Sequence, residues 1–171
     1  MILRVVVAVK ILIETTVLWG LLFSDSVYHD AALRVVEDVD VVVPAACFQE
    51  IVYPAYRLFS DGGKKPEVGI SKVLKLGEAM LLLSSSPQLF GMRRLEVVET
   101  TPERVAGALA IASKHAKIFL KRDEKTGTAW LRMVDAITAY TWMELKLPLH
   151  AHDQAMKKFG KIYGLEYVEF P

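Results

Sequence analysis

Only one cysteine, Cys47, occurs in the 171 residues. That scarcity excludes an intramolecular disulfide framework and any cysteine-based zinc site, and it makes a reducing cytoplasm the expected compartment. With no base close to it in sequence, Cys47 reads as a small buried hydrophobe rather than a nucleophile. Charge of one sign is equally short: 21 Lys and Arg oppose 20 Asp and Glu, and a net charge of +1 supplies no overall pull towards nucleic acid. A membrane span is missing as well. The most apolar stretch, Ile2 to Phe23, is interrupted by Arg4, Lys10 and Glu14, too many charges for a lipid-facing helix, and it lacks the small-residue cleavage site of a signal peptide. No membrane partner is therefore expected. Asp61-Gly62-Gly63-Lys64-Lys65 has glycines and lysines but not phosphate-loop spacing, no Gly-rich dinucleotide fingerprint follows the first apolar run, and there is no nucleophile elbow.

What is abundant is apolar side chain. A hydrophobic content of 53% over 171 residues suits one globular domain, 1–171, with a sizeable core, and is high enough to expect some apolar surface under a partner. Arg4 to Ile13 is a nearly unbroken Val/Ile/Leu run, the pattern of a strand buried on both faces, and Thr15 to Phe23 continues as a short apolar helix or turn. Ser24-Asp25-Ser26 offers a cap for a helix over Val27 to Glu37, and Val41-Val42-Val43 is a short strand closed by Pro44. Ala45 to Phe59 follows as a helix that Pro54 is expected to kink or end. After the break at Asp61-Gly62-Gly63 come a helix over Val68 to Leu83, apolar nearly all round at Met80 to Leu83, and a strand over Arg94 to Thr100. Thr101-Pro102-Glu103 starts a helix running to about Phe119, with Pro at its first position. Lys121 to Thr128 reads as a loop around Gly127, Trp130 to Lys146 as a helix, Pro148 to His152 as a strand, Gln154 to Tyr163 as a helix stopped by Gly164, and Glu166 to Phe170 as a last strand. Strands separated by helices predict an α/β sandwich around a mostly parallel sheet. Trp130, Trp142, Tyr140 and Phe119 fall at helical positions and read as core or interface rather than base-stacking platforms.

In such a sheet the functional crevice lies at the carboxyl ends of the strands. Glu14 follows the first strand and Asp153 the fourth, while Glu50 and Asp135 lie early in helices that can reach the same edge. Taken one at a time, each has an ordinary structural reading: Asp153 as a helix cap, Asp135 as an early-helix acid favoured by the dipole, Glu50 as a solvated helix residue, Glu14 as a strand-end acid. Together, oxygen donors without cysteine suit Mg²⁺ or Mn²⁺, and clustered carboxylates repel one another without a cation. Charge is also polarised. Asp25, Asp30, Glu37, Asp38, Asp40 and Glu50 face Arg34 alone between residues 24 and 50, whereas Arg104, Lys114, Lys117, Lys121, Arg122, Lys125 and Arg132 outnumber the acids between 101 and 132. An acidic pole could serve a cation and a basic stretch a polyanion, although solvated helix faces explain such charge about as well.

Ile13-Glu14-Thr15-Thr16-Val17-Leu18, the segment Pro44 to Glu50, Asp135-Ala136-Ile137-Thr138-Ala139, and Pro148-Leu149 through Asp153, in that order, resemble the PIN-domain family, and most of all its VapC-type toxins of bacterial and archaeal toxin–antitoxin pairs. The resemblance implies a single PIN-like three-layer α/β/α domain and cytoplasmic, Mg- or Mn-dependent endoribonuclease activity. It further implies an RNA substrate, a small antitoxin and a homodimer. Carried over by position, Glu14, Glu50, Asp135 and Asp153 would be the catalytic, metal-binding acids, with Thr16 as the hydroxyl supporting the first. Lys114, Lys117, Lys121, Arg122, Lys125 and Arg132 are candidate RNA contacts, since cationic groups supply most sequence-independent RNA affinity. The apolar end of the Val68 to Leu83 helix is the candidate antitoxin or homodimer surface. Two positions depart from the family pattern. Glu14 stands where Asp is usual and adds a methylene, and Ala151, between His150 and His152, stands where Ser or Thr is usual. These departures give a second reading, a PIN fold that has lost catalysis and binds RNA or protein. A third is an unrelated α/β phosphohydrolase, because acids at strand ends serve that chemistry too.

Overall fold

The computed structural model describes residues 9–171. Its first element, β1 (Lys10–Ile13), is followed by α1 (Thr15–Leu22), α2 (His29–Val36), β2 (Asp40–Pro44) and α3 (Ala45–Phe59). Next come α4 (Pro66–Ser85), a 3-10 turn over Pro87–Phe90, β3 (Arg94–Val98), α5 (Pro102–Lys114) and the short α6 (Ala116–Phe119). The strands β4 (Leu120–Arg122) and β5 (Ala129–Leu131), then α7 (Met133–Leu145), β6 (Leu149–Ala151), α8 (Gln154–Tyr163) and β7 (Tyr167–Glu169) complete the order. The part of the expected first strand between Arg4 and Ala8 lies outside the described residues.

Five strands form one parallel sheet in the order β3-β2-β1-β6-β7, with Ile11 opposite Val41, Ile13 opposite His150 and Ala151 opposite Glu169. The period-2 pleat explains why β1 and β2 read as continuous apolar runs. Ile11, Ile13, Val41 and Val43 bury into one core beneath α1 to α4, while Leu12 and Val42 bury into the other beneath α5 to α8. A side chain such as Leu12 or Ile13, with no exposed surface, contributes roughly 1.5–3 kcal/mol by that burial. The α5 to α8 layer shows how the core is anchored. Trp142 is fully buried and its indole N–H donates to the Leu147 carbonyl at 2.8 Å, satisfying the one polar atom it carries into the core. Gly107 of α5 lets the Tyr140 ring of α7 approach so closely that an added Cβ would stand 2.3 Å from it.

Several expectations need correction. Pro54 neither ends nor visibly divides α3, which runs through it to Phe59. The expected helix to Phe119 is interrupted at His115 and resumes as α6. The segment taken as a loop, Lys121 to Thr128, is the tip of an antiparallel hairpin in which Lys121 pairs with Trp130, and Asp123 caps its turn by accepting from the amides of Lys125 and Thr126. Trp130 therefore lies on a strand, 46% exposed, and α7 begins three residues later than expected. Where Thr101 was expected to start a helix it does, accepting from the Arg104 amide at 3.4 Å. Among the described residues no helix is long and apolar enough to cross a membrane.

Candidate active site

The sheet order reverses between β1 and β6. The chain leaves β1 for β2 on one side and β6 for β7 on the other, which opens a crevice beyond their carboxyl ends. A cleft of about 750 Å³ occupies that place, and Glu14, Glu50, Asp135 and Asp153 all line it, as does Thr16. Four elements deliver the acids. Glu14 is the residue between β1 and α1, Glu50 lies in the second turn of α3, Asp135 in the first turn of α7, and Asp153 caps α8.

Glu14 is 9% exposed, and that burial raises its carboxyl pKa above the ordinary range; Thr16 and the amide of His152, whose N–H reaches Glu14 Oε1 at 3.4 Å, pull it back, and the Asp153 charge pushes it up again. Thr16 hydrogen-bonds Glu14, and the hydroxyl one residue earlier does a job that sequence reasoning missed. The Thr15 hydroxyl donates to Glu50 Oε2, tying the acid of α3 to the end of β1. Burial also lifts Asp135, to about 7, against the opposing charge of Arg132 and with the charges of Glu50, Asp153 and Glu14 adding to the rise. Asp153 goes the other way. Burial raises it, but the hydrogen bond and charge of Arg132 and the amides of Met156 and Ala155 together outweigh that and hold it below the usual carboxylate range. Its Oδ1 accepts from Ala155 N at 2.5 Å and Met156 N at 3.2 Å, so Asp153 is both a helix cap and a cleft acid.

Arg132 belongs to this cluster. Its Nε lies 2.5 Å from Asp135 Oδ2 and its Nη2 pairs with Asp153 Oδ2. The other basic candidates separate. Lys121, on β4, lines the cleft and stands over the Trp130 ring at 5.9 Å. Arg122 and Lys125 are exposed along the hairpin and Lys117 on α6, while Lys114 is set away from the cleft over Tyr163 of α8, 5.8 Å from its ring centre. The two histidines are anchored in the frame. His150 is half-buried in β6, where burial lowers its pKa, and His152 packs on Tyr28 and donates from Nδ1 to the Phe170 carbonyl at 3.0 Å. Cys47 is fully buried beside Thr138 at 3.7 Å, and burial pushes its thiol to about 12, which keeps it an unreactive hydrophobe.

The donor set is one of hard oxygens, the chemistry of Mg²⁺ or Mn²⁺. Four acids share the cleft with Arg132 and Lys121, and the upward shift of Asp135 comes first from burial, with the charges of the other three acids adding to it. Among the described residues, however, no group of three His, Cys, Asp or Glu side chains is already arranged to hold one ion. The acids suit a divalent cation in kind, and two of them, Asp135 and Asp153, are paired with Arg132.

The sequence profile of the PIN domain matches residues 11–162. No curated protein matches the chain in sequence. Solved structures of similar fold include VapBC2 from Rickettsia felis bound to a DNA fragment from their promoter, 12% identical, covering 95% of this chain and 99% of that one with a TM-score of 0.53. A toxin–antitoxin complex from Klebsiella pneumoniae is 14% identical over 92% of this chain and 95% of that one, TM-score 0.48. A domain of a functionally unknown protein from Methanocaldococcus jannaschii DSM 2661 is 16% identical over 96% and 92%, TM-score 0.47.

Proposed function

The chain belongs to the PIN-domain family, and on that premise we propose that it is a divalent-metal-dependent endoribonuclease, the toxin of a VapBC-type toxin–antitoxin pair acting in the cytoplasm as a single domain. The observation that carries the reading is the convergence of Glu14, Glu50, Asp135 and Asp153 from four elements on one cleft, with an arginine among them and basic residues at its rim. Glu14, Glu50, Asp135 and Asp153 would hold Mg²⁺ or Mn²⁺, which when bound supplies polarisation of a phosphodiester and a lowered pKa for the attacking water. The protein's own residues do the rest. Thr15 and Thr16 fix the orientation of Glu50 and Glu14. Asp153 is held by the α8 amides, and Lys121 with the exposed hairpin cations offers contacts to phosphates on either side of the bond to be cut.

The groove between α3 and α4 suits the protein partners. Val52, Tyr53, Ile70 and Leu74 leave apolar surface exposed there, and Leu74 and Gly77 join it to a second hollow beside Leu81 and Val97. An antitoxin helix or a second copy of the chain would cover that surface, as exposed apolar patches of this kind mark interfaces. The test is cleavage of RNA by the purified protein with Mn²⁺, repeated in EDTA and with Asp135→Asn. Cleavage that persists in the variant sinks the site. A second reading is favoured by one observation, the longer and largely buried acid at position 14: a PIN fold without catalysis that binds RNA or protein. Calorimetric titration with Mn²⁺ separates them, since tight binding only after Glu14→Asp supports the non-catalytic reading.

A further inference from the structure

We propose that Arg132 is the resident counter-cation of the acid cluster, a positioning residue that a divalent ion must displace from Asp135 and Asp153 before the site can close. The inference rests on the metal-dependent reading and goes beyond it by assigning what holds the acids when no metal does. Arg132 is placed by backbone on both sides. Its amide donates to the Phe119 carbonyl at 2.8 Å, and its own carbonyl accepts from Ala136 at 3.1 Å as α7 begins. The guanidinium reaches both carboxylates at once, through Nε to Asp135 and Nη2 to Asp153. Its side chain is 25% exposed and those of the two aspartates 18% and 21%, so the pairs are sheltered from the screening that makes surface ion pairs weak.

The oxygens of Asp153 show where the two cations meet. Oδ1 is committed to the amides of Ala155 and Met156, which are fixed by α8. Oδ2 is the one Arg132 holds. A cation drawing on Asp153 at Oδ2 meets the guanidinium there, and the repulsion between the two positive charges drives Arg132 off while the helix cap on Oδ1 stays intact. Arginine cannot leave by losing its proton, because it stays charged at any accessible pH, so the exchange is a competition between two cations for one pair of acids. Once released, the guanidinium remains in the cleft, where its planar fork suits a phosphate.

The experiment is calorimetric titration of the full chain with Mn²⁺, comparing wild type with Arg132→Gln and Arg132→Lys, alongside thermal unfolding in EDTA and in Mn²⁺. Arg132→Gln is expected to bind Mn²⁺ about tenfold tighter than wild type, and Arg132→Lys to fall between, because an ammonium cannot bridge two carboxylates as a fork does. In EDTA, Arg132→Gln is expected to unfold at a lower temperature than wild type and to gain more from Mn²⁺. If Arg132→Gln does not fold, the lysine variant decides alone. Equal or weaker Mn²⁺ binding by the folded variants overturns the role of Arg132 while leaving the metal site standing, provided wild type binds and Asp135→Asn does not. Binding by none of them overturns both.

Discussion

Helix α3 presents two environments within one turn. Glu50 faces the cleft with three other acids, whereas Val52 and Tyr53 face the groove against α4. In the cleft, charge is sheltered further than water would favour, and burial displaces two of the carboxyl pKa values upward. In the groove, apolar surface is exposed further than water would favour, with Leu74 68% exposed. Each region calls for a different complement. The cleft sets four carboxyl groups against Arg132 and Lys121, and the groove lacks apolar cover, so a small ion suits the first and a macromolecular surface the second.

The comparison breaks most sharply at Asp135. Asp135→Asn is expected to lower the rate of RNA cleavage at least about a hundredfold, read from cleavage time courses in Mn²⁺, with association through the groove unchanged. Next in size is the pH response of the metal-free protein. The folded-state pKa of Asp135 is raised to about 7 from 3.8. Below about pH 4 the group is protonated in both states and costs nothing. Between pH 4 and 7 the unfolded chain ionises while the folded one keeps its proton, so stability falls as pH rises and the full loss, on the order of 2–4 kcal/mol, is present above pH 7. Glu14, also raised, adds to the loss; Asp153, lowered, acts only on the acid side of the ordinary carboxylate range. Denaturant unfolding in EDTA at pH 5 and pH 8 measures this, and a stability that rises with pH contradicts it. Asp135→Asn is expected to flatten the slope.

The groove is tested by Leu74→Glu, which sets a charge in the exposed apolar surface. It is expected to weaken association with an antitoxin or second copy by roughly 2 kcal/mol or more, read by sedimentation or calorimetry, while Mn²⁺ binding stays as in wild type. The smallest expected effect is at the rim. Trp130→Ala is expected to weaken binding of single-stranded RNA by about 1–2 kcal/mol in a fluorescence titration with little change in stability, since the ring lies exposed beside Lys121 and buries no core.

Much of this was legible in the residues. The Val/Ile/Leu runs of β1 and β2 declared strands covered on both faces, Thr101-Pro102-Glu103 marked the start of α5, and Gly164 stands at φ 65° where α8 ends. The acids of the cleft were legible because strand ends in a parallel sheet share one edge. What escaped depends on short or long-range geometry. Three-residue exposed strands such as Leu120–Arg122 have no buried face to impose alternation, so the hairpin looked like a loop. The place of Arg132 among the acids follows from that hairpin's return to α7, and the Thr15 bond to Glu50 links residues 35 apart in sequence. Neither leaves a local pattern.

Pro54 has a consequence that concerns mechanics. It lines the cleft inside α3 and has no N–H to give, and the carbonyl it would have bonded, four residues back, belongs to Glu50. The rung missing from the helix is thus the one that would have tethered the backbone of the acid itself. The turn bearing Glu50 has one backbone bond fewer than its neighbours, and it is the Thr15 hydroxyl, from the end of β1, that holds the acid's side chain.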